Sequence, residues 1–135
     1  MVKKHFSIAL FSHILIFAIF FTATAQAWTG TYHLEHEWVK IWINQDGSID
    51  LLYDIQLMLD SGDTIHKVFV GQPKRDFTIG IALDEYGLKL AASDASSGSD
   101  YKVQVTLGWG LSVGESVKFD LITNVANMLY NDTTN

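Results

Sequence analysis

The sequence predicts an all-β protein: an antiparallel β-sandwich, Ig-like in size, with about seven or eight strands, preceded by an N-terminal signal helix. Three observations predict this class. Apolar residues alternate with polar residues along several segments, turn-forming residues separate these segments, and one apolar run stands near the N-terminus. Alternation with a period of two is typical of strands with one buried face. Turns spaced by roughly 8–12 residues are typical of sandwiches.

The N-terminus has the layout of a secretory signal peptide. Residues 6–21 are nearly all apolar, follow Lys3 and Lys4, and precede an Ala-Gln-Ala cleavage site at 25–27. The run is shorter than the roughly 20 residues that a spanning helix needs, although retention as an anchor remains the alternative. We therefore predict a signal peptide at 1–27, cleavage between Ala27 and Trp28, and one β-sandwich domain at 28–135. The predicted location is secreted or extracytoplasmic.

Composition excludes several classes of function. Of the 9 Lys+Arg, Lys3 and Lys4 leave with the leader, so 7 remain against 15 Asp+Glu and the net charge becomes −8. Such an acidic domain is not expected to bind nucleic acid. The absence of Cys excludes disulfides, thiolate metal sites, Cys catalysis and a lipoprotein anchor. A domain of about a hundred residues is too small for a Rossmann enzyme, a TIM barrel or a kinase. No cofactor is indicated.

The first hairpin is defined by two independent signals. Val39–Ile43 and Ile49–Leu59 both alternate, and the segment between them contains Asp46-Gly47. A three-residue loop with Gly in the left-handed position pairs Ile43 with Ile49, Ile41 with Leu51 and Val39 with Tyr53, all on one face. A short strand is also expected at Thr31–His36.

The remaining strands follow the same pattern. A turn at 60–62 leads into Thr64–Val70, with Ile65 opposite Leu57 and Phe69 opposite Tyr53 as the favoured register. Further strands are predicted at the segments 77–83, 88–91, 101–107 and 115–123, with a Gly-rich connection at 108–114. The apolar residues Met128, Leu129 and Tyr130 suggest one more strand whose continuation lies beyond the sequence.

Two segments are candidates for metal or acid–base chemistry. On a regular strand His33, Glu35 and Glu37 would share one face, although the spacing does not match the H-E-x-x-H helix motif and solvated strand polarity is the alternative. The acids Asp84 and Glu85 stand at a hairpin tip, where carboxylates normally remain solvated. Neither segment forms a coherent catalytic set, so we predict no enzymatic activity.

Trp42 is the predicted ligand-binding residue. It points away from the Val39 face together with Lys40, and the hairpin register places it beside Asp50. A mixed aromatic and charged face can bind a glycan or a protein, or can be covered by the rest of the chain or by a second domain. Asn131 begins an Asn-Asp-Thr glycosylation motif. The basic pair Lys74-Arg75 could hold an anionic group or dock a neighbouring domain, with a solvated loop as the alternative.

Three segments together resemble a known type of domain. They are VKIWINQDGSIDLLYDI at 39–55, VFVGQPKRDF at 68–77 and SVGESVKFDLITNV at 112–125. Their order resembles the N-terminal extracytoplasmic β-sandwich of uncharacterised, signal-bearing prokaryotic proteins, with archaea as the expected source. Such proteins are often tethered to the membrane by a later helix. The resemblance implies exposure outside the cell and implies no activity.

These observations lead to one functional expectation. We expect an exported, non-enzymatic module with a binding or structural role at the cell envelope. The expected partner is a protein or glycan at the cell surface, and membrane contact is expected only through the signal segment or a downstream anchor. A secreted glycan-binding domain is the alternative, and a metal-dependent enzyme is the less favoured one.

Overall fold

The computed structural model describes residues 30–129, and every regular element in that range is a strand. The all-β antiparallel prediction is therefore confirmed. Within this range no helix is long and apolar enough to cross a membrane. The seven strands are β1 (Thr31–Ile43), β2 (Ile49–Ser61), β3 (Ile65–Gly71), β4 (Phe77–Asp84), β5 (Lys89–Asp94), β6 (Lys102–Leu111) and β7 (Ser116–Val125).

The strands form one sheet in the order β1-β2-β7-β4-β5-β6-β3, and every pairing is antiparallel. The sheet curls at the β4–β5 hairpin, where only Ala82–Leu90 and Leu83–Lys89 are paired. Strands β1, β2, β7 and β4 then form a first layer, and β5, β6 and β3 form a second layer. The inner side chains of both layers meet in one apolar cluster.

The predicted first hairpin is confirmed in register. Ile43 pairs with Ile49, Ile41 with Leu51 and Val39 with Tyr53. The turn closes through a hydrogen bond from Asn44 N–H to Ser48 O at 2.9 Å. Gly47 has φ 81°, a left-handed conformation that side-chain-bearing residues rarely adopt. Turn chemistry and apolar alternation thus select the same pairing.

The core is built from alternate residues of β2, β6 and β7. Every second residue of β2 is buried, and Leu59, Val103, Val105, Leu121 and Val125 have no exposed surface. Two buried polar side chains among them satisfy one another: the Thr123 hydroxyl donates to Gln72 Oε1 at 2.9 Å. With no Cys in the chain, this packing has to hold the layers together without disulfides.

Two sequence predictions about strand pairing are wrong. β3 pairs with β6 in the second layer, through Val68–Val105 and Val70–Val103, rather than with β2. β6 also continues to Leu111 through the segment predicted as a Gly-rich connection. Gly110 permits this, because a Cβ at that position would lie 2.6 Å from Thr64 Cγ2.

Two further boundaries differ from the predictions. The short strand predicted at Thr31–His36 and the strand at Val39–Ile43 are one strand, β1, interrupted by an irregularity between Leu34 and His36. Met128 and Leu129 lie in no strand. Their backbone N–H groups donate to Gly47 O at 2.9 and 3.1 Å, because the chain turns at Asn127, whose φ is 53°.

β1 differs from the other strands because it lies outside the core. It pairs with β2 along one edge only, and all of its residues except His36 are exposed. Its inner side chains Val39, Ile41 and Ile43 are 42, 59 and 67% exposed, although their partners on β2 are buried. The second layer ends at β3, which faces β2, so no strand within residues 30–129 lies opposite β1.

The packing predicts a contrast between two neighbours on β7. Leu121→Ala should lower the free energy of unfolding by about 2–5 kcal/mol, because it opens a cavity at a fully buried site. Ile122→Ala, on the opposite face, should lower it by less than about 1 kcal/mol. Urea unfolding followed by tryptophan fluorescence measures both. Equal losses for the two variants would contradict the assignment of faces.

Candidate functional site: the outer aromatic face

Two tryptophans of β1 stand exposed on the outside of the first layer. Trp38 pairs with Asp54 and Trp42 with Asp50, whose side chains point away from the core. The exposed fractions of the two tryptophans are 62 and 51%. Trp38 and Trp42 are four residues apart on one strand, so their backbone positions are about 13 Å apart. We call Trp38, Lys40 and Trp42, with Asp50 and Asp54 beside them, the outer aromatic face.

The predicted placement of Trp42 is confirmed. It lies beside Asp50, and Lys40 lies beside Leu52, as the hairpin register requires. Trp38 is on the same face by the same alternation, but the sequence interpretation did not include it. The sequence does indicate this placement, because residues 38, 40 and 42 alternate along one strand and therefore lie on the same face.

Asp50 is held in a fixed position at one end of the face. Its carboxylate accepts hydrogen bonds from Asn124 Nδ2 at 2.7 Å and Asn44 Nδ2 at 3.1 Å. These two amides hold the pKa of Asp50 below its ordinary value, so the carboxylate stays ionised at neutral pH. Trp42 therefore stands beside an oriented group that can accept further hydrogen bonds.

A second group of charges lies beside Trp38. Asp54 contacts Lys118 Nζ at 3.3 Å and His36 Nε2 at 3.6 Å. The ring of His36 also packs on Trp38, with centroids 4.5 Å apart. Burial, and after it the nearby Asp54, raises the pKa of Asp120 above its ordinary value. The face thus combines aromatic surface with both acidic and basic groups.

The metal-ligand expectation for His33, Glu35 and Glu37 is not supported, because the three residues do not share one face. The irregularity at Glu35 shifts the alternation: His33 pairs with Met58 on the outer side, whereas Glu37 pairs with the inner residue Ile55. Glu35 instead accepts hydrogen bonds from the Ser116 hydroxyl and from Gln56 Nε2. No group of three metal-type ligands occurs in the part of the chain that the structure describes.

The other candidates have local structural partners. Asp84 is buried rather than solvated, and its carboxylate accepts hydrogen bonds from the N–H groups of Tyr86 and Leu88 at 3.0 and 2.8 Å. It therefore holds the β4–β5 turn. Lys74 donates to Asn127 O at 3.1 Å, which fixes the loop after β3. The predicted cleavage residues Ala27 and Trp28 and the glycosylation residue Asn131 lie outside the described residues.

Comparison with known proteins does not assign the chain. No protein-family model matches it, and no curated protein matches it significantly. The resemblance to extracytoplasmic prokaryotic sandwiches therefore remains a prediction. The function therefore has to be inferred from the geometry of this chain.

The contact between His33, near the start of β1, and Asp60 predicts a raised pKa that an NMR titration can measure. His33 Nδ1 lies 2.8 Å from Asp60 Oδ1, and this hydrogen bond raises the pKa of His33 above 6.5. The pair therefore stabilises the fold below that pH, and the contribution is lost as the pH rises through the raised pKa. Asp60→Asn should lower the His33 pKa in an NMR titration, whereas Asp63→Asn, in the same turn, should leave it nearly unchanged. Equal shifts would show that the carboxylate contact is absent in solution.

Proposed function

We propose that the chain is an exported, non-enzymatic β-sandwich module that binds a ligand at the cell envelope through the outer aromatic face. The exposure of Trp38 and Trp42 on the same outer face of β1 is the observation that carries this proposal. Exposed tryptophans are uncommon on a surface that contacts only water, and clusters of them mark binding sites. The predicted signal peptide supports the location outside the cytoplasm.

A glycan is the ligand class that we favour. Tryptophan faces offer flat apolar surface for the C–H faces of sugar rings, and the oriented carboxylate of Asp50 and the charged group at Asp54 can bond sugar hydroxyls. A protein ligand would also use such a face, since tryptophans dominate many interfaces. The metal-dependent enzyme is disfavoured because Glu37 faces away from His33.

The glycan proposal predicts a specific loss on substitution. Trp42→Ala and Trp38→Ala should each weaken binding by about 30-fold, the equivalent of ~2 kcal/mol for a central aromatic contact. Tyr86→Ala is the matched control, because Tyr86 is 75% exposed on the distant β4–β5 hairpin. A glycan array followed by calorimetry on the best hit measures the effect. An array without hits, or binding indifferent to both tryptophans, would refute glycan binding.

Export predicts a defined mature N-terminus. Expressed with its own leader in a secreting host, the protein should appear outside the cytoplasm with Trp28 as its first residue. Ala27→Pro should block this processing, because signal cleavage requires small residues in an A-x-A pattern. Edman sequencing or intact mass measures the terminus. Recovery of the uncleaved chain in the membrane fraction would instead support the retained-anchor alternative.

A further inference from the structure

The two layers of the sandwich have unequal numbers of strands. The first layer has four strands, β1, β2, β7 and β4, and the second has three, β5, β6 and β3. β1 projects past β3 by the width of one strand. Its inner side chains Tyr32, Leu34, Val39, Ile41 and Ile43, which we call the inner stripe, are 42–67% exposed as a result.

The space under β1 is an apolar cleft bounded by a second strand edge. The cleft, of about 230 Å³, is lined by Leu34 and Glu37 of β1, by Ile55 of β2, and by Val68 and Phe69 of β3. β3 pairs with β6 along one edge, and its other edge has no strand partner within residues 30–129. A strand placed in this cleft would extend the second layer and cover the inner stripe.

We propose that this place is filled by β1 of a second copy of the chain. Each copy has one strand too many in its first layer and one too few in its second. A two-fold axis running parallel to the strands, between the two β1 strands, exchanges the layers. β1 of each copy then lies beside β3 of the other, and both deficits are filled by a single operation. The product is two continuous seven-stranded layers.

This dimer is a closed assembly, and it buries the apolar side chains of the inner stripe. The same surface is used by both copies, so association stops at two and does not propagate into a filament. Ten large side chains, five from each copy, leave water, and the unpaired edge of β3 gains a strand partner. Since the axis keeps strand direction, β1 of one copy runs parallel to β3 of the other, a pairing that occurs nowhere within one copy.

Residues 130–135 are poorer candidates for this place than a second copy. The six residues 130–135 have the sequence Tyr-Asn-Asp-Thr-Thr-Asn, which offers a single large apolar side chain to a stripe of five. Before Gly30, the predicted signal cleavage removes residues 1–27 and leaves only Trp28 and Thr29. A second copy brings a strand already known to have apolar residues at the right spacing.

Glu37 supplies an independent test of the two-fold arrangement. It is the one charged residue among the inner side chains of β1, and the axis would place the two Glu37 carboxylates across the layer gap from one another. The backbones of the two layers lie about 10 Å apart, so the two inward-pointing carboxylates come closer than that, and their repulsion in a partly buried gap opposes association. Glu37→Gln should therefore tighten the dimer, whereas removing an acid from most protein surfaces has little effect on association.

The test is the mass of the exported chain in solution. Analytical ultracentrifugation at 1–50 μM should find a species of twice the chain mass. Ile41→Lys should weaken the dimer by about 100-fold or more, because each dimer would bury two unpaired ammonium groups. Trp42→Lys is the matched control: it lies on the outer face of the same strand and should leave the dimer intact. Ile41 is 59% exposed in one copy, so the variant should fold, which circular dichroism checks.

Each outcome decides for or against the dimer. A monomer at 50 μM overturns it, as does a dimer that survives Ile41→Lys or one that is weakened by Glu37→Gln. A monomer whose β3 amides on the edge away from β6 are protected from hydrogen exchange would overturn the dimer and show that another segment covers the stripe. The proposed ligand site is tested separately, since Trp42→Ala should weaken ligand binding by about 30-fold while the protein stays a dimer.

Discussion

The inner face of β2 is the constraint on which the rest of the structure depends. β2 is an inner strand of the first layer, between β1 and β7, and all six of its odd-numbered residues from Ile49 to Leu59 are buried. A slip of one residue would turn this entire set toward solvent, so the register of both neighbours is fixed by it. The faces of β1 follow directly: positions opposite Leu51 and Tyr53 point inward, and those opposite Asp50 and Asp54 point outward.

The parts that could be predicted from sequence are those in which local chemistry and alternation coincide. The Asp46-Gly47 turn and the flanking apolar residues each select the pairing of Ile43 with Ile49, so the hairpin and the position of Trp42 were correct. The phase of His33–Glu37 was not, because one extra residue at Glu35 reverses the alternation. A bulge of this kind leaves no mark in the apolar pattern of a strand whose residues are mostly exposed.

Long-range pairing was the other failure, and its cause is physical. A hairpin between β2 and β3 was compatible with the short turn at 60–62. It also placed the apolar residues Ile65 and Phe69 opposite apolar residues of β2. The chain instead crosses to the second layer, where Val68 and Val70 pack beside Val105 and Val103 of β6. Which of two apolar strands a third strand joins is decided by how completely each arrangement fills one core. How completely the core is filled depends on the whole chain, so no local turn sequence predicts it.

β1 is an edge strand that keeps a large apolar surface exposed on its inner face. Long hydrophobic edges invite pairing with other chains, and proteins usually protect them with charges, prolines or bulges. β1 has the bulge near Glu35 and charges at Glu37 and Lys40, and none of these hides the inner stripe. The two faces of β1 therefore fit the two different proposals made for them. We propose that the inner stripe contacts a second copy of the chain, and that the outer face, with its oriented Asp50 beside Trp42, binds a ligand. A strand that is covered on the inside and open on the outside would hold its tryptophans rigidly, which lowers the entropy lost when a ligand binds.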